Sequence, residues 1–244
     1  MPKNRYKWKF DEQYWERVAQ QPDWYMQLVP YVKKTQESIS NVDELANFRK
    51  TIGHFFQKLL AEEKLALASE GPDLDAQREP VSSVVIHHTS SAPGYSIDYM
   101  NAVHLLNIYA PYYFQPTVPE EMELRGKPIW SGHFKNGKQN FIGYHWLMRM
   151  DGSLEHLLDD NQIGWHAGNW SVNKRSVAIC LDNNYEKMCP SEQTLEALAT
   201  HIRKKYPEVK SENIMGHCES SPGTICPGVH FLEEWKPKLI EYLK

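Results

Sequence analysis

Two short segments of the chain carry residues that could bind a metal ion. His87 and His88 directly follow the apolar residues 84–86, a pattern typical of the end of a short strand. His217 and Cys226 lie nine positions apart in a loop rich in glycine and proline, and such a loop can fold back to bring an imidazole and a thiol together. Two histidines and one cysteine give the three protein ligands that catalytic zinc typically keeps beside one open position. The residue types alone leave a second interpretation open, in which these side chains are hydrogen-bonded parts of the core or surface.

The distribution of histidine indicates where the chemistry lies. Ten of the eleven histidines follow residue 80, and only His54 precedes it. Because histidine is the commonest metal ligand and titrates near neutrality, we expect the active region after residue 80.

The first 80 residues predict a helical extension that ends in a linker. Apolar residues recur at three-and-four spacing over residues 45–60, with Asn41 and Glu44 resembling a capping box before them. A shorter helix is predicted over residues 11–21, and residues 71–80 are typical of a linker. Two roles stay open for this extension. It is either a helical appendage packed on the main domain or a targeting module that uses its basic, aromatic start to contact the cell wall.

Strands and helices alternate after residue 80. Strands are predicted over residues 84–86, 144–150 and 176–181, and helices over residues 191–206 and 231–243. This mixture implies an α/β layer structure for residues 81–244. Residues 111–128 contain four prolines and predict a long surface loop near the site.

Composition excludes several classes of protein. The 244 residues are 41% hydrophobic and 24% charged, which excludes a wholly disordered chain. The net charge of −4 disfavours nucleic-acid binding, and the longest apolar run, five residues, is far too short to span a membrane. No secretory signal is recognisable, so we expect a cytoplasmic protein or one that reaches the cell wall by a signal-independent route. With only four cysteines, thiols or metal ligands are expected in preference to disulfides.

Five motifs within residues 81–235 resemble, in their order, those of one enzyme family. This family is the zinc-dependent N-acetylmuramoyl-L-alanine amidases of the phage-lysozyme and peptidoglycan-recognition-protein type. The matching segments are residues 86–89, residues 143–146 with 149–152, residues 164–168, residues 176–185, and residues 216–217 with 224–228. The resemblance implies a central mixed β-sheet flanked by helices, to which residues 1–80 add the N-terminal helical extension.

The resemblance also implies the metal and the catalytic residues. His87, His217 and Cys226 match the zinc ligands, although the spacing between the last two is one residue longer than is usual in the family. Tyr144 matches a tyrosine that assists the reaction. Thr224 stands where its hydroxyl could hydrogen-bond the developing oxyanion, or could instead stabilise a turn.

Substrate contacts are expected at four further positions: His88, Trp165, His166 and Asn184. His166 matches a substrate-contacting position of the family. Trp165 could line a groove for sugar or peptide or belong to the core, and His88 could instead support a ligand histidine.

The function implied is hydrolysis of the amide between N-acetylmuramic acid and L-alanine, with zinc supplying an activated water. The partner is peptidoglycan or a muropeptide, and we expect a monomer that binds no nucleic acid. Two alternatives remain: a module of the same fold that binds peptidoglycan without cutting it, and a hydrolase that uses Cys226 or Cys218 as a nucleophile.

Overall fold

The structure is a computed structural model that describes residues 8–115 and 123–244. Its backbone forms two compact units. The first comprises the residues up to Pro72 together with Ile97–Phe141, and the second comprises Asp73–Ser96 together with Ile142–Lys244. The boundary predicted after residue 80 divides the chain differently and stays a prediction. The basic start of the chain, apart from its last residues, lies outside the described residues.

The first unit begins with three helices, α1 (Glu12–Ala19), α2 (Tyr25–Ser38) and α3 (Val42–Ala61). The Asn41 side chain accepts a hydrogen bond from the Glu44 backbone N–H at 2.8 Å, as the predicted N-cap of α3 requires. Helices α1 and α3 are the two predicted from the sequence, whereas α2 was not predicted.

The remainder of the first unit lies between residues 97 and 141. Helix α4 (Ile97–His104) continues through a π-helical turn, Leu105–Tyr109, into α5 (Ala110–Phe114), and the two-residue strands β2 (Phe134–Lys135) and β3 (Lys138–Gln139) form a hairpin. The loop predicted over residues 111–128 is therefore helical at its start. Residues 116–122 of that loop lie outside the described residues.

The second unit is built on a five-stranded sheet. Its strands are β1 (Ser83–His88), β4 (Trp146–Met148), β5 (Leu154–His156), β6 (Ser176–Leu181) and β7 (Ile214–Gly216), and they lie side by side in the order β5-β4-β6-β1-β7. Strand β1 pairs in parallel with β6 and β7, β6 pairs in parallel with β4, and only β5 is antiparallel. The expected α/β architecture with a central mixed sheet is confirmed.

Helices cover one face of this sheet. Helix α7 (Glu192–Lys205) and helix α9 (Lys236–Tyr242) contribute the apolar side chains that pack against the even-numbered residues of β1 and the odd-numbered residues of β6. The N-cap of α7 is Ser191, whose hydroxyl accepts from the Thr194 N–H at 3.1 Å, as predicted. The opposite face carries Ser83, Val85 and His87 beside their register partners on β6. The candidate site is built on this second face.

Among the helices that the structure describes, none is both long and apolar enough to cross a membrane.

Candidate metal centre

The three predicted ligands converge at the carboxyl ends of two neighbouring strands. His87 lies near the end of β1, and His217 begins the short helix α8 (His217–Ser220) directly after β7. Because β1 and β7 are adjacent and parallel, their carboxyl ends meet at one edge of the sheet. The loop after α8 returns Cys226 to the same place, so that the ligand atoms of all three residues lie within 4.8 Å of one another.

These residues fit a zinc ion by geometry and by chemistry. The Nδ1 of His87 lies 3.8 Å from the Sγ of Cys226. Bonds from zinc to nitrogen and to sulfur at a tetrahedral angle would place the two atoms about 3.6 Å apart. Imidazole and thiolate together are ligands that zinc prefers. His87 is 1% exposed, whereas the other two ligands are only partly buried.

Local hydrogen bonds hold the second and third ligands in place. The Glu219 carboxylate accepts from the Gly216 N–H at 2.8 Å and from the Lys236 ammonium at 2.7 Å, which fixes the turn that carries His217. The Cys218 N–H donates to the carbonyl of Cys226 at 2.7 Å and ties the returning loop to α8. This loop, between His217 and Cys226, is the one whose spacing is one residue longer than is usual in the family that the sequence resembles.

Two residues of that loop explain its shape. Gly223 has a φ of +100°, a left-handed conformation that glycine adopts without the strain of a Cβ, and it accommodates the longer spacing. The Thr224 hydroxyl accepts the backbone N–H of Cys226 at 3.2 Å. Thr224 therefore stabilises the turn and keeps its own proton available for donation.

The thiols do not have the character of nucleophiles. Burial raises the pKa of Cys226 to about 12, and burial together with Glu219 raises the pKa of Cys218. In the metal-free protein both groups are therefore protonated at neutral pH, and a thiol is a far weaker nucleophile than a thiolate. This environment disfavours the predicted alternative of a thiol hydrolase.

Tyr144 lies beside the first ligand. The centroid of its ring is 4.9 Å from that of His87, and its side chain is half-buried. Burial raises the pKa of Tyr144 well above its usual value, so the phenol stays protonated and can act as a hydrogen-bond donor.

A backbone crossing sets the position of Tyr144. A Cβ on Gly164 would lie 2.1 Å from the carbonyl oxygen of Gly143, and a Cβ on Gly143 would lie 2.6 Å from that of Trp165. Glycine at both positions therefore lets the segment that precedes Tyr144 touch the segment that precedes His166.

His166 lies behind His87 rather than on the surface. Its Nδ1 is 3.1 Å from the Nε2 of His87, and its side chain is only 5% exposed. The hydrogen bond to His87 favours a supporting role for His166, and the expected substrate contact stays a prediction.

The other expected substrate contacts differ in exposure. His88 and Trp165 are buried, and the Nδ1 of His88 accepts from the Tyr185 N–H at 2.9 Å. Asn184 is exposed, and its side chain accepts from the Glu186 N–H at 2.9 Å. Of the four expected contacts, Asn184 alone is exposed, and no ligand tests their roles, which stay predictions.

Hydrogen bonds between different segments support the site. The ring of His145 accepts from the Ala178 N–H at 3.0 Å and contacts the Gln162 carbonyl at 3.1 Å. Ser176 and Asp182, at the two ends of β6, were not singled out. The partners of Asp182 are distant in sequence, and Ser176 meets His166 only because the chain turns back between them, so no local pattern could have indicated either residue.

A comparison with known protein families identifies the family of this chain. The model of the N-acetylmuramoyl-L-alanine amidase family matches residues 77–229, which is more than half of the chain. The chain belongs to this family.

Individual relatives are more distant. A peptidoglycan-recognition protein of Drosophila melanogaster is 27% identical over 168 residues, which cover 65% of this chain and 78% of that protein. The 1,6-anhydro-N-acetylmuramyl-L-alanine amidase AmpD of Haemophilus influenzae is 28% identical over 113 residues, covering 43% of this chain and 60% of that protein. Among solved structures, N-acetylmuramoyl-L-alanine amidase LysC of Clostridium intestinale URNW has a TM-score of 0.45 at 20% identity, covering 68% of this chain and 87% of that one.

Proposed function

We propose that the protein is a zinc-dependent hydrolase that cleaves the amide between N-acetylmuramic acid and L-alanine in peptidoglycan or muropeptides. The observation that carries this proposal is the convergence of His87, His217 and Cys226 in a geometry that suits zinc. Membership of the amidase family supports the reaction class.

The chain's own residues account for most of the proposed chemistry. His87, His217 and Cys226 would hold the zinc ion, which when bound supplies a Lewis acid and activates water at neutral pH. The Tyr144 phenol, protonated and next to His87, donates a hydrogen bond to the amide oxygen as negative charge develops there. The Thr224 hydroxyl, which accepts the Cys226 N–H, donates a second hydrogen bond to the same oxygen.

A second candidate function is a module that binds peptidoglycan without cutting it. The observation in its favour is that one relative, the peptidoglycan-recognition protein of Drosophila melanogaster, is named for recognition. The complete set of three ligands favours the hydrolase.

The proposal is tested by incubating the full chain, loaded with zinc, with a defined muropeptide and analysing the products by mass spectrometry. We expect release of a stem peptide that begins with L-alanine, loss of this release in a zinc chelator, and its return when zinc is restored. Cys226→Ser should abolish turnover, and Cys189→Ser, which changes a thiol outside the ligand set, should retain it.

Each contrary outcome selects another function. Binding without cleavage by the zinc-loaded protein would favour the binding module. Cleavage that persists in the chelator would favour a thiol hydrolase. Running the same assay on intact cell wall and on a soluble muropeptide would show which of these two substrates the protein cleaves.

A further inference from the structure

A continuous chain of hydrogen bonds leads from the candidate ligand His87 into the protein interior. The Nε2 of His87 is 3.1 Å from the Nδ1 of His166, and the Nε2 of His166 is 3.1 Å from the Oγ of Ser176. The Ser176 hydroxyl in turn donates to the carbonyl oxygen of Val172 at 2.7 Å. All three side chains are buried.

The direction of every proton in this chain follows from its last member. A hydroxyl has one proton, and that of Ser176 is donated to a carbonyl, which can only accept. Ser176 must therefore accept from His166, whose Nε2 carries the proton. A neutral His166 then has an unprotonated Nδ1, which accepts from the Nε2–H of His87.

The position of the ligand atoms supports the same direction. The Nδ1 of His87 faces the Sγ of Cys226, so a metal ion held between them would need this nitrogen unprotonated. The proton of a neutral His87 then lies on Nε2, which is the nitrogen that points at His166.

The fixed tautomer has a consequence at the metal. With its proton on Nε2, His87 presents the unprotonated Nδ1, and this is the nitrogen that lies 3.8 Å from the Sγ of Cys226. We infer that Ser176 is a positioning residue that, through His166, fixes His87 in the tautomer able to bind zinc through Nδ1. The inference deepens the proposed function and rests on its metal site.

We call the hydrogen-bonded chain from His87 through His166 to Ser176 the relay. The segment around the relay is held in place by further hydrogen bonds. Val172 lies in the short helix α6 (Trp170–Asn173), and Ser176 is the first residue of β6. The side chain of Asn173 accepts from the backbone N–H groups of His166 and Ala167 at 3.3 and 2.8 Å.

The same sheet offers a matched control. Ser83 on β1 is the register partner of Ser176 on β6, and both side chains are buried on one face of the sheet. The Ser83 hydroxyl lies 3.5 Å from the Arg175 carbonyl. Ser83→Ala therefore removes an equivalent buried hydroxyl outside the relay.

The first measurement is made on the full chain without metal. In a long-range ¹H–¹⁵N NMR spectrum we expect His87 of the wild type and of Ser83→Ala to carry its proton on Nε2. Ser176→Ala should give a mixture of tautomers. A wild-type His87 with its proton on Nδ1 would overturn the inference, whether or not the protein cleaves any substrate.

The second measurement is zinc affinity by competition with a chromophoric chelator. Loss of the direct partner of a metal-bound histidine typically weakens binding about 10- to 100-fold. Ser176 acts through His166, so we expect Ser176→Ala to weaken zinc binding by less than this range but by more than Ser83→Ala, which should stay within about twofold of wild type. Equal affinities in a folded Ser176→Ala would refute the role of Ser176. Failure of the wild type to bind zinc would instead contradict the proposed function, and the tautomer spectrum would still decide the inference.

A second pair of variants covers the case in which Ser176→Ala does not fold. His166→Asn retains an acceptor close to the position of Nδ1, whereas His166→Leu removes it. We expect zinc affinity and the Nε2–H tautomer of His87 to be retained better in His166→Asn than in His166→Leu. Identical behaviour of the two variants would show that the acceptor has no such role.

Discussion

The Arg149 guanidinium binds two carboxylates that differ sharply in exposure. Asp182 is 1% exposed and accepts from Arg149 at 2.6 Å, from the Gly94 N–H at 2.8 Å and from the Tyr95 N–H at 3.1 Å. Glu155, on the other side of the same guanidinium, is 38% exposed. The two acids therefore allow burial to be compared at a single arginine.

Replacing Asp182 by Asn should destabilise the protein strongly. The amide keeps the size of the carboxylate, but it loses the charge that partners Arg149 and turns an NH₂ group towards groups that are all donors. Removing one partner of a buried ion pair costs about 3–5 kcal/mol of unfolding free energy. The same change at exposed Glu155 should cost about 0–1 kcal/mol, because solvent screens an exposed ion pair.

Urea unfolding of the full chain measures both free energies. Hydrogen exchange at the Gly94 and Tyr95 amides adds a local measurement, since both amides should exchange faster in Asp182→Asn than in Glu155→Gln. Equal losses of stability in the two variants, or a loss below about 1 kcal/mol in Asp182→Asn, would refute the argument from burial.

Three further changes test other features. Gly164→Ala places a Cβ 2.1 Å from the Gly143 carbonyl oxygen, so thermal unfolding should show a loss of about 3 kcal/mol or more, and an unchanged midpoint would contradict the close approach. Burial lowers the pKa of His104 from 6.5 to about 4, so the unfolded chain takes up this proton first and stability falls as the pH falls from 6.5 towards 4. At 1.36 kcal/mol per pKa unit, the wild type should lose about 3 kcal/mol of unfolding free energy over this pH range. Urea unfolding of His104→Gln should not show this loss, and an equal dependence of the unfolding free energy on pH in both proteins would count against His104. Tyr144→Phe should lower kcat for stem-peptide release about 100- to 1000-fold while zinc affinity is retained, and full activity would remove the proposed role of the phenol.

Local pattern was sufficient to predict the long elements. The stripe over residues 45–60 and the cap at Asn41 correspond to α3, and the continuous apolar run in 176–181 corresponds to a strand that is buried on both faces. Helix α2 was missed because Pro30 lies within it, and proline is a strong signal against a helix interior.

Other differences arise from contacts that are distant in sequence. The strand predicted over residues 144–150 is reduced to β4, Trp146–Met148. At its start the ring nitrogen of His145 accepts the Ala178 N–H, which a backbone carbonyl would otherwise accept in a regular ladder.

The residues of the candidate site also differ in how far the sequence could predict them. The residue types of His87, His217 and Cys226 left two interpretations open, and the resemblance to the amidase family matched each of them to a metal ligand. The relay through Ser176 could not be predicted, because its link to His166 depends on the packing of β6 against another segment.

The contact between Gly143 and Gly164 also bears on how the site moves. One segment of this crossing leads into Tyr144 and the other into Trp165 and His166, and no side chain separates the two backbones. Because the backbones are in direct contact, neither can shift towards the other without overlap. Thermal displacements of the phenol and of the relay histidine should therefore be correlated, so that the hydrogen-bond donor and the orientation of the metal ligand keep their mutual alignment while the protein fluctuates.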